Sequence, residues 1–280
     1  MPPAVPSIAM DDLRFCRVHV AGTAGLLEAA VVRELHLAGH RLLPAGEPVD
    51  AIVHCPAPMP PGRLTHRRLT AHRRAEATRA GALAAEALAR RARFVHVGSA
   101  FAWGDHGAAW IDEATPQRPT PIGAGDVDIA RRLLDLRSQH GLDVVLLALG
   151  LVYGPDGPLE RALWNGRARV IGWGGNYVSC VHVDDAARAI AAALERGAAG
   201  TTYLAVDDEP VTQRALVEAV ADAAGRPRPG SSSIGLAGAR VGFPLARSLS
   251  ASVRARNARA KAELGWAPRF PTVREGVWIR

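Results

Sequence analysis

The sequence predicts an α/β fold built on a doubly wound parallel sheet. Three observations carry that prediction. Short apolar runs alternate with helical patterns through the first half of the chain. The run Asp143–Leu149 is apolar throughout after its aspartate, as a strand covered on both faces must be. The first strand ends in glycines that open directly onto a helix.

In order, Arg17–Ala21 reads as a strand, followed by Gly22, Gly25 and a helix over Leu26 to Ala38, where Leu27, Val31, Val32 and Leu35 recur at helical spacing. Arg41–Leu43 and Ala51–His54 read as short strands, the second closed by Pro56 and Pro58. Ala75–Arg91 is an alanine-rich helix, and Phe94–Val97 a strand that stops at Gly98-Ser99. Val127–His140 is a helix ended by Gly141, ahead of the strand Asp143–Leu149. Farther on, Val178–Val183 and Thr202–Val206 read as strands, and Asp184–Glu195 and Gln213–Gly225 as helices. Residues 226–256 read as loop-rich, and Asn257 is placed to cap a last helix that stops at Gly265.

Composition excludes several classes. The 280 residues are 48% apolar and 22% charged, which suits a globular protein able to bury a sizeable core. No apolar run approaches the length of a membrane span, and Met1–Leu13 lacks the apolar core of a signal peptide. Three scattered cysteines (Cys16, Cys55, Cys180) argue against a disulfide framework or a cysteine zinc site and suit a cytoplasmic location. His54, His96 and His182 fall at the ends of different strands, without metal-ligand spacing.

The net charge of +7 is local: residues 61–93 hold nine arginines against Glu76 and Glu86, and the rest of the chain is neutral. No nucleic-acid reading motif accompanies them, so an exposed helix face, a homodimer contact or an anion site at Arg67, Arg68, Arg73 and Arg74 is expected instead. The expected partner is a small-molecule substrate, anionic if those arginines meet it. Lys261 is the only lysine, and the arginine bias reads as the mark of a GC-rich genome.

Six pieces stand in a recognisable order: Val18-His19-Val20-Ala21-Gly22-Thr23-Ala24-Gly25, Ala51-Ile52-Val53-His54, Phe94-Val95-His96-Val97-Gly98-Ser99, Val152-Tyr153-Gly154-Pro155, Val181-His182-Val183-Asp184-Asp185 and Glu263-Leu264-Gly265-Trp266-Ala267-Pro268. Together they resemble the extended short-chain dehydrogenase/reductase family of the NAD-dependent epimerase/dehydratase type. The resemblance implies a Rossmann-like domain over 14–155, after a flexible tail at 1–13. It also implies a smaller substrate domain over 156–280, of which about 178–206 returns to the first domain.

The departures from that family are as informative. Its catalytic tyrosine and lysine align with Ile122 and Asp126, so the usual proton donor is missing. Its phosphate loop, G-x-x-G-x-x-G, has Glu28 in place of the third glycine, where a fixed anion competes with a pyrophosphate. Only seven residues separate Leu43 from Ala51, too few for the helix and strand that wall the adenine side, so one strand–helix unit is expected to be missing. The family's arginine-proline pair is Ala148-Leu149, which weakens a nucleotide-sugar reading. The expectation is therefore no cofactor, or a degenerate NAD(P) site at Gly22, Thr23, Gly25 and Leu26.

Ser99 aligns with the family's catalytic serine or threonine, and Ser99 with Asp126 is the expected polar centre. Trp103, Tyr153, Asn176, Tyr177 and His182 are expected to line the substrate cleft. Each has a plainer reading: Ser99 as a turn residue, Trp103 and Tyr153 as wall residues, His182 as a structural hydrogen-bonding group, Asp126 as a polar residue early in a helix. Three functions follow in order. The first is a non-redox isomerase, lyase or cyclase working by acid–base chemistry, of the kind used in bacterial secondary metabolism. The second is an NAD(P)-binding reductase or epimerase whose proton comes from Asp126, Tyr177 or water. The third is an inactive binding or regulatory protein. Fold alone decides none of them.

Overall fold

The computed structural model describes residues 16–22 and 25–277; the expected N-terminal tail and Thr23 lie outside them. The first strand, β1 (Arg17–Ala21), leads through Gly22 and Gly25 to α1 (Leu26–Leu37), which turns Ala30, Val31 and Leu35 into the core. β2 (Arg41–Leu42) and β3 (Ala51–His54) follow, with no helix between them, so the crossover unit absent from the sequence is absent from the fold. α2 (His66–Arg90) begins nine residues before the predicted alanine-rich stretch. Thr65 caps it by accepting the Arg68 N–H, and arginine is a good helix former even where a turn has no apolar stripe.

β4 (Arg93–Ser99), β5 (Trp110–Ile111), α3 (Ala124–His140) and β6 (Val144–Leu149) complete the first half. Then come β7 (Leu151–Tyr153), α4 (Pro158–Trp164), β8 (Val170–Ile171), β9 (Tyr177–Val178), β10 (Cys180–His182) and α5 (Val183–Arg196). β11 (Thr202–Ala205), β12 (Val211–Thr212), α6 (Gln213–Ala223) and β13 (Ser231–Ser232) follow. The chain closes with α7 (Ile234–Val241), α8 (Phe243–Leu249), β14 (Arg254–Ala255), α9 (Ala258–Leu264) and α10 (Val273–Gly276).

The central sheet has six parallel strands in the order β2-β1-β3-β4-β6-β11. α1 and α5 cover one face and α2 and α3 the other. From β1 the chain goes outward to β2 on one side and to β3 on the other. The crevice at the C-terminal ends of β1 and β3 is therefore the topological switch point where open sheets bind ligands. α5 packs on α1, and β11 extends the sheet beside β6, so residues after 155 return to the first layer. No helix among the described residues is long and apolar enough to cross a membrane.

The stretch 226–256, expected to be loop-rich, carries two helices. Ser233 caps α7 by accepting the Leu236 N–H, and Pro244 stands in the first turn of α8. Gly242, at φ +100°, separates them; a Cβ there would lie 1.9 Å from Leu64 O, so only glycine fits. Asn257 stands ahead of α9 and Gly265 ends it at φ +57°, as expected, but the Asn257 side chain does not cap. It donates instead to Val206 O at 2.8 Å and Asp208 Oδ1 at 2.7 Å.

Asp207 joins the two halves just after β11. Its N–H donates to Cys180 O at 2.7 Å, and the residue is only 2% exposed. Burial pushes its carboxyl up to about 8, more than the neighbouring Tyr153 hydroxyl offsets, and the charges of Asp185 and Asp208 add to the rise. The folded state thus keeps a proton that the unfolded chain releases near pH 4. Stability from this group is full below that pH and is lost as pH rises through about 8. Asp207→Asn should therefore flatten the fall in melting temperature between pH 5 and pH 9. Thermal unfolding of both proteins across that range checks it, and parallel curves would dismiss the assignment.

Candidate functional site

Ser99 ends β4 and Asp126 lies in the first turn of α3. Backbone contacts bring these two places together. Arg118 N donates to Trp103 O at 2.9 Å and Thr120 N to Phe101 O at 3.1 Å, so the segment entering α3 runs against the segment leaving β4. A Cβ on Gly123 would lie 2.2 Å from Phe101 O, which is why a glycine stands where that approach is tightest. Asp126 Oδ2 then accepts both the Ser99 hydroxyl at 2.6 Å and the Ser99 N–H at 3.0 Å.

The surroundings pull the Asp126 proton in opposite directions. Burial pushes its carboxyl up to about 6, against the Ser99 hydroxyl and N–H and the Arg73 guanidinium, while the Glu76 carboxylate adds to the rise. Arg73 reaches across from α2, places its Cγ 3.1 Å from where a Gly125 Cβ would sit, and donates to Pro121 O. Ile122 sits just ahead of α3, with its N–H donating to Ser248 Oγ at 3.0 Å. Its side chain can transfer no proton. The titratable group of this site is a carboxyl with a serine in front of it.

The other expected cleft residues have different surroundings. Trp103 is 2% exposed and packs with Ala148, Leu204 and Val253. Tyr153 is buried and donates to Thr272 O at 3.3 Å. The Asn176 side chain donates to Leu249 O and Ala251 O, both at 3.0 Å, and so ties down the end of α8. Arg254 stacks over the half-buried Tyr177 ring at 4.6 Å. His182 is buried and caps α5, its Nδ1 accepting the Asp184 N–H at 3.2 Å. Among the described residues none of these five hydrogen-bonds to Ser99 or Asp126.

The arginine cluster also turns inward in part. Arg68 donates to Arg63 O and Pro61 O, both at 2.7 Å, and Arg73 to Pro121 O. Arg73 was expected in an anion site rather than beside Asp126, and Glu76 was not expected at a site. The predicted helix began at Ala75, so the sequence showed no helical stripe joining Arg73 and Glu76 to Leu69, Ala80 and Ala84.

At the switch point, Gly25 stands at the N-cap of α1 and has no side chain to cap the helix, whose N-terminus favours an anion. Glu28 folds back so that its Oε2 lies 2.5 Å from where a Cβ on Gly22 would be. A carboxylate thus stands over the open face of Gly22, at the place where the fold puts a phosphate. A pyrophosphate and that carboxylate cannot share the place, so Gly22, Gly25 and Leu26 are the described residues that would hold a dinucleotide there with Glu28 turned away.

A family model, the NAD dependent epimerase/dehydratase family, matches residues 40–205. A 3-diazoavenalumate denitrifying reductase from a Streptomyces species is 31% identical over 194 residues, 66% of this chain and 64% of that protein. A dTDP-glucose 4,6-dehydratase from an Actinoplanes strain is 30% identical over 186 residues, 63% of this chain and 55% of that protein. The chain thus spans less than two thirds of the length of either relative. Human epimerase family protein SDR39U1 with NADPH superposes with a TM-score of 0.78 at 18% identity, covering 93% of this chain and 97% of that one. DesIV, a dTDP-glucose 4,6-dehydratase from Streptomyces venezuelae with NAD bound, gives 0.72 at 20% identity, covering 93% and 94%. These NAD(P)-bound neighbours overturn the expectation of no cofactor or only a degenerate site: they point to NAD(P) on this fold. Fold, motif order and matched residues agree that the chain belongs to the NAD-dependent epimerase/dehydratase family.

Proposed function

We propose that this chain is an NAD(P)-dependent reductase of a small organic substrate, with Ser99 and Asp126 as its proton-transfer pair. The observation that carries this is the 2.6 Å hydrogen bond from the Ser99 hydroxyl to Asp126, at the strand end where the fold binds its ligands. The non-redox reading depended on a missing cofactor, and it loses that support with the correction above. Gly22, Gly25 and Leu26 would hold the dinucleotide against α1. Once bound, a reduced nicotinamide supplies a hydride.

Every other part of the chemistry falls to side chains of this chain. With Asp126 ionised, the Ser99 proton is committed to it, and the Ser99 oxygen can accept from a substrate hydroxyl. With Asp126 protonated, the carboxyl donates to Ser99 Oγ and the Ser99 hydrogen is free to meet a substrate oxygen that gains negative charge. The pair therefore acts as an acid below about pH 6 and as a base above it. Arg73 balances the charge of the ionised form.

A second reading is favoured by the 31% identical relative, a denitrifying reductase of a diazo compound. A diazonium cation that accepts a hydride departs as an arene and N2, balanced without any proton. For such a substrate, isoleucine in place of the acid at position 122 carries little cost.

Three measurements test these readings. Calorimetric titration should give saturable binding of NADH or NADPH; no binding of either at millimolar concentration would remove both readings. For a carbonyl substrate, the reductive rate should fall as pH rises through about 6. Asp126→Asn should erase that inflection and lower turnover roughly 10²–10⁴-fold, as loss of a general acid does, with Ser99→Ala close behind. If a diazo arene is reduced equally well by wild type and Asp126→Asn, the second reading stands and the first fails.

A further inference from the structure

α1 begins at Leu26, and Glu28 stands in its first turn. The Cα–Cβ bonds of a helix tilt toward its N-terminus, so a long side chain in the first turn overhangs the chain that enters the helix. Here that chain comes from the end of β1. Glu28 follows the rule: its Cγ, Cδ and Oε2 lie 2.9, 2.6 and 2.5 Å from where a Cβ on Gly22 would be. Any side chain at position 22 would meet the carboxylate. The loop that leaves β3 comes up to the same turn, with Pro58 Cδ 4.0 Å from where a Gly25 Cβ would be.

A glycine at the end of the first strand lets a phosphate approach the backbone. Gly22 offers that open face, and the anion that takes it belongs to the chain itself. The helix dipole favours negative charge there, so the carboxylate is a stand-in for a phosphate. A glutamate that only complemented the dipole could do so while pointing to solvent. Its return over Gly22 is what makes it a competitor, because like charges a few ångströms apart repel strongly in a partly desolvated site.

Glu28 is not a fixed plug. It is half-buried, and its side chain turns about three single bonds while its backbone stays in α1. Two states therefore differ by one rotamer. In one the carboxylate lies over Gly22; in the other the place is open.

We propose that Glu28 gates the dinucleotide site as a resident anion: it holds the phosphate place over Gly22 in the free protein and is exchanged for a pyrophosphate on binding. The apparent affinity is then the intrinsic one multiplied by the open fraction, and a place open in about one molecule in ten weakens binding about tenfold. The gate opposes any ligand that carries a phosphate to that place and leaves adenosine alone unopposed. The proposal rests on the function proposed above only for the dinucleotide; the exchange itself can be read with any pyrophosphate.

The test is calorimetric titration of wild type, Glu28→Gln and Glu28→Ala with NADH, NADPH, ADP and adenosine. Glutamine keeps the shape without the charge, and alanine, the best helix former, clears the place. Glu28→Ala should bind ADP and the preferred dinucleotide about tenfold more tightly than wild type, with adenosine unchanged. The same gain in Glu28→Gln would assign the gate to charge, and a gain in Glu28→Ala alone would assign it to bulk; either retains it. In the wild type, which needs no variant to fold, the ¹³C resonance of the Glu28 carboxyl should move as ADP saturates the protein. Equal ADP affinity in all three proteins, an equal gain for adenosine, or an unmoved Glu28 resonance would overturn the gate, and NADH or NADPH binding would then leave the proposed function standing. ADP tightened by the variants while neither dinucleotide binds would retain the gate and sink that function. No binding of ADP or of either dinucleotide to any of the three proteins would remove both.

Discussion

A parallel sheet covered by helices on both faces leaves polar chemistry mainly at the ends of its strands, and this constraint organises the chain. β4 shows it at both ends. At the start of the strand, buried Arg93 donates to Asp143 at 3.1 Å and to the carbonyls of Leu194 and Gly197 at 3.1 and 3.0 Å. One cation thus ties β4 to the residue ahead of β6 and to the end of α5. In between, Val95 and Val97 face the α1–α5 layer while Phe94 faces the α2–α3 layer. At the far end, Ser99 meets Asp126 where the helix coverage stops.

The polar centre at the end of β4 is a carboxyl with its donors gathered around it. Ser99 gives Asp126 both its hydroxyl and its N–H, and Arg73 brings a cation from another helix. Burial works against those donors and brings the carboxyl to about 6.

The C-terminal half is held by the buried Asp185. Asp185 accepts the Arg269 N–H and the Phe270 N–H at 2.9 Å each, and its backbone carbonyl accepts the Trp266 indole at 3.1 Å. Two of the sequence motifs, Val181–Asp185 and Glu263–Pro268, are thus halves of one contact. The tail after α9 lies over α5 with that acid receiving its N–H groups.

Much of the architecture was readable in the sequence because it depends on local pattern. Apolar runs of strand length fixed β1, β3, β4 and β6, and the seven residues after Leu43 excluded a crossover helix. Ser99 and Asp126 were legible by position, one at a strand end and one in a first helical turn. α7 and α8 were not, since Ser233, Gly242 and Pro244 read as turn residues until each is seen capping, separating or starting a helix. Nor was the length of α2, whose first turns have no apolar stripe to betray them. By itself, the sequence determined the order of the main elements and the absence of a crossover helix after Leu43, because both follow from spacing along the chain. Only the tertiary structure decided that Arg73 would reach from α2 to the segment entering α3, and that Glu76 would meet His54 and His54 meet His96. Those contacts join residues more than 20 positions apart, and periodicity says which face a side chain occupies but not which distant side chain it meets there.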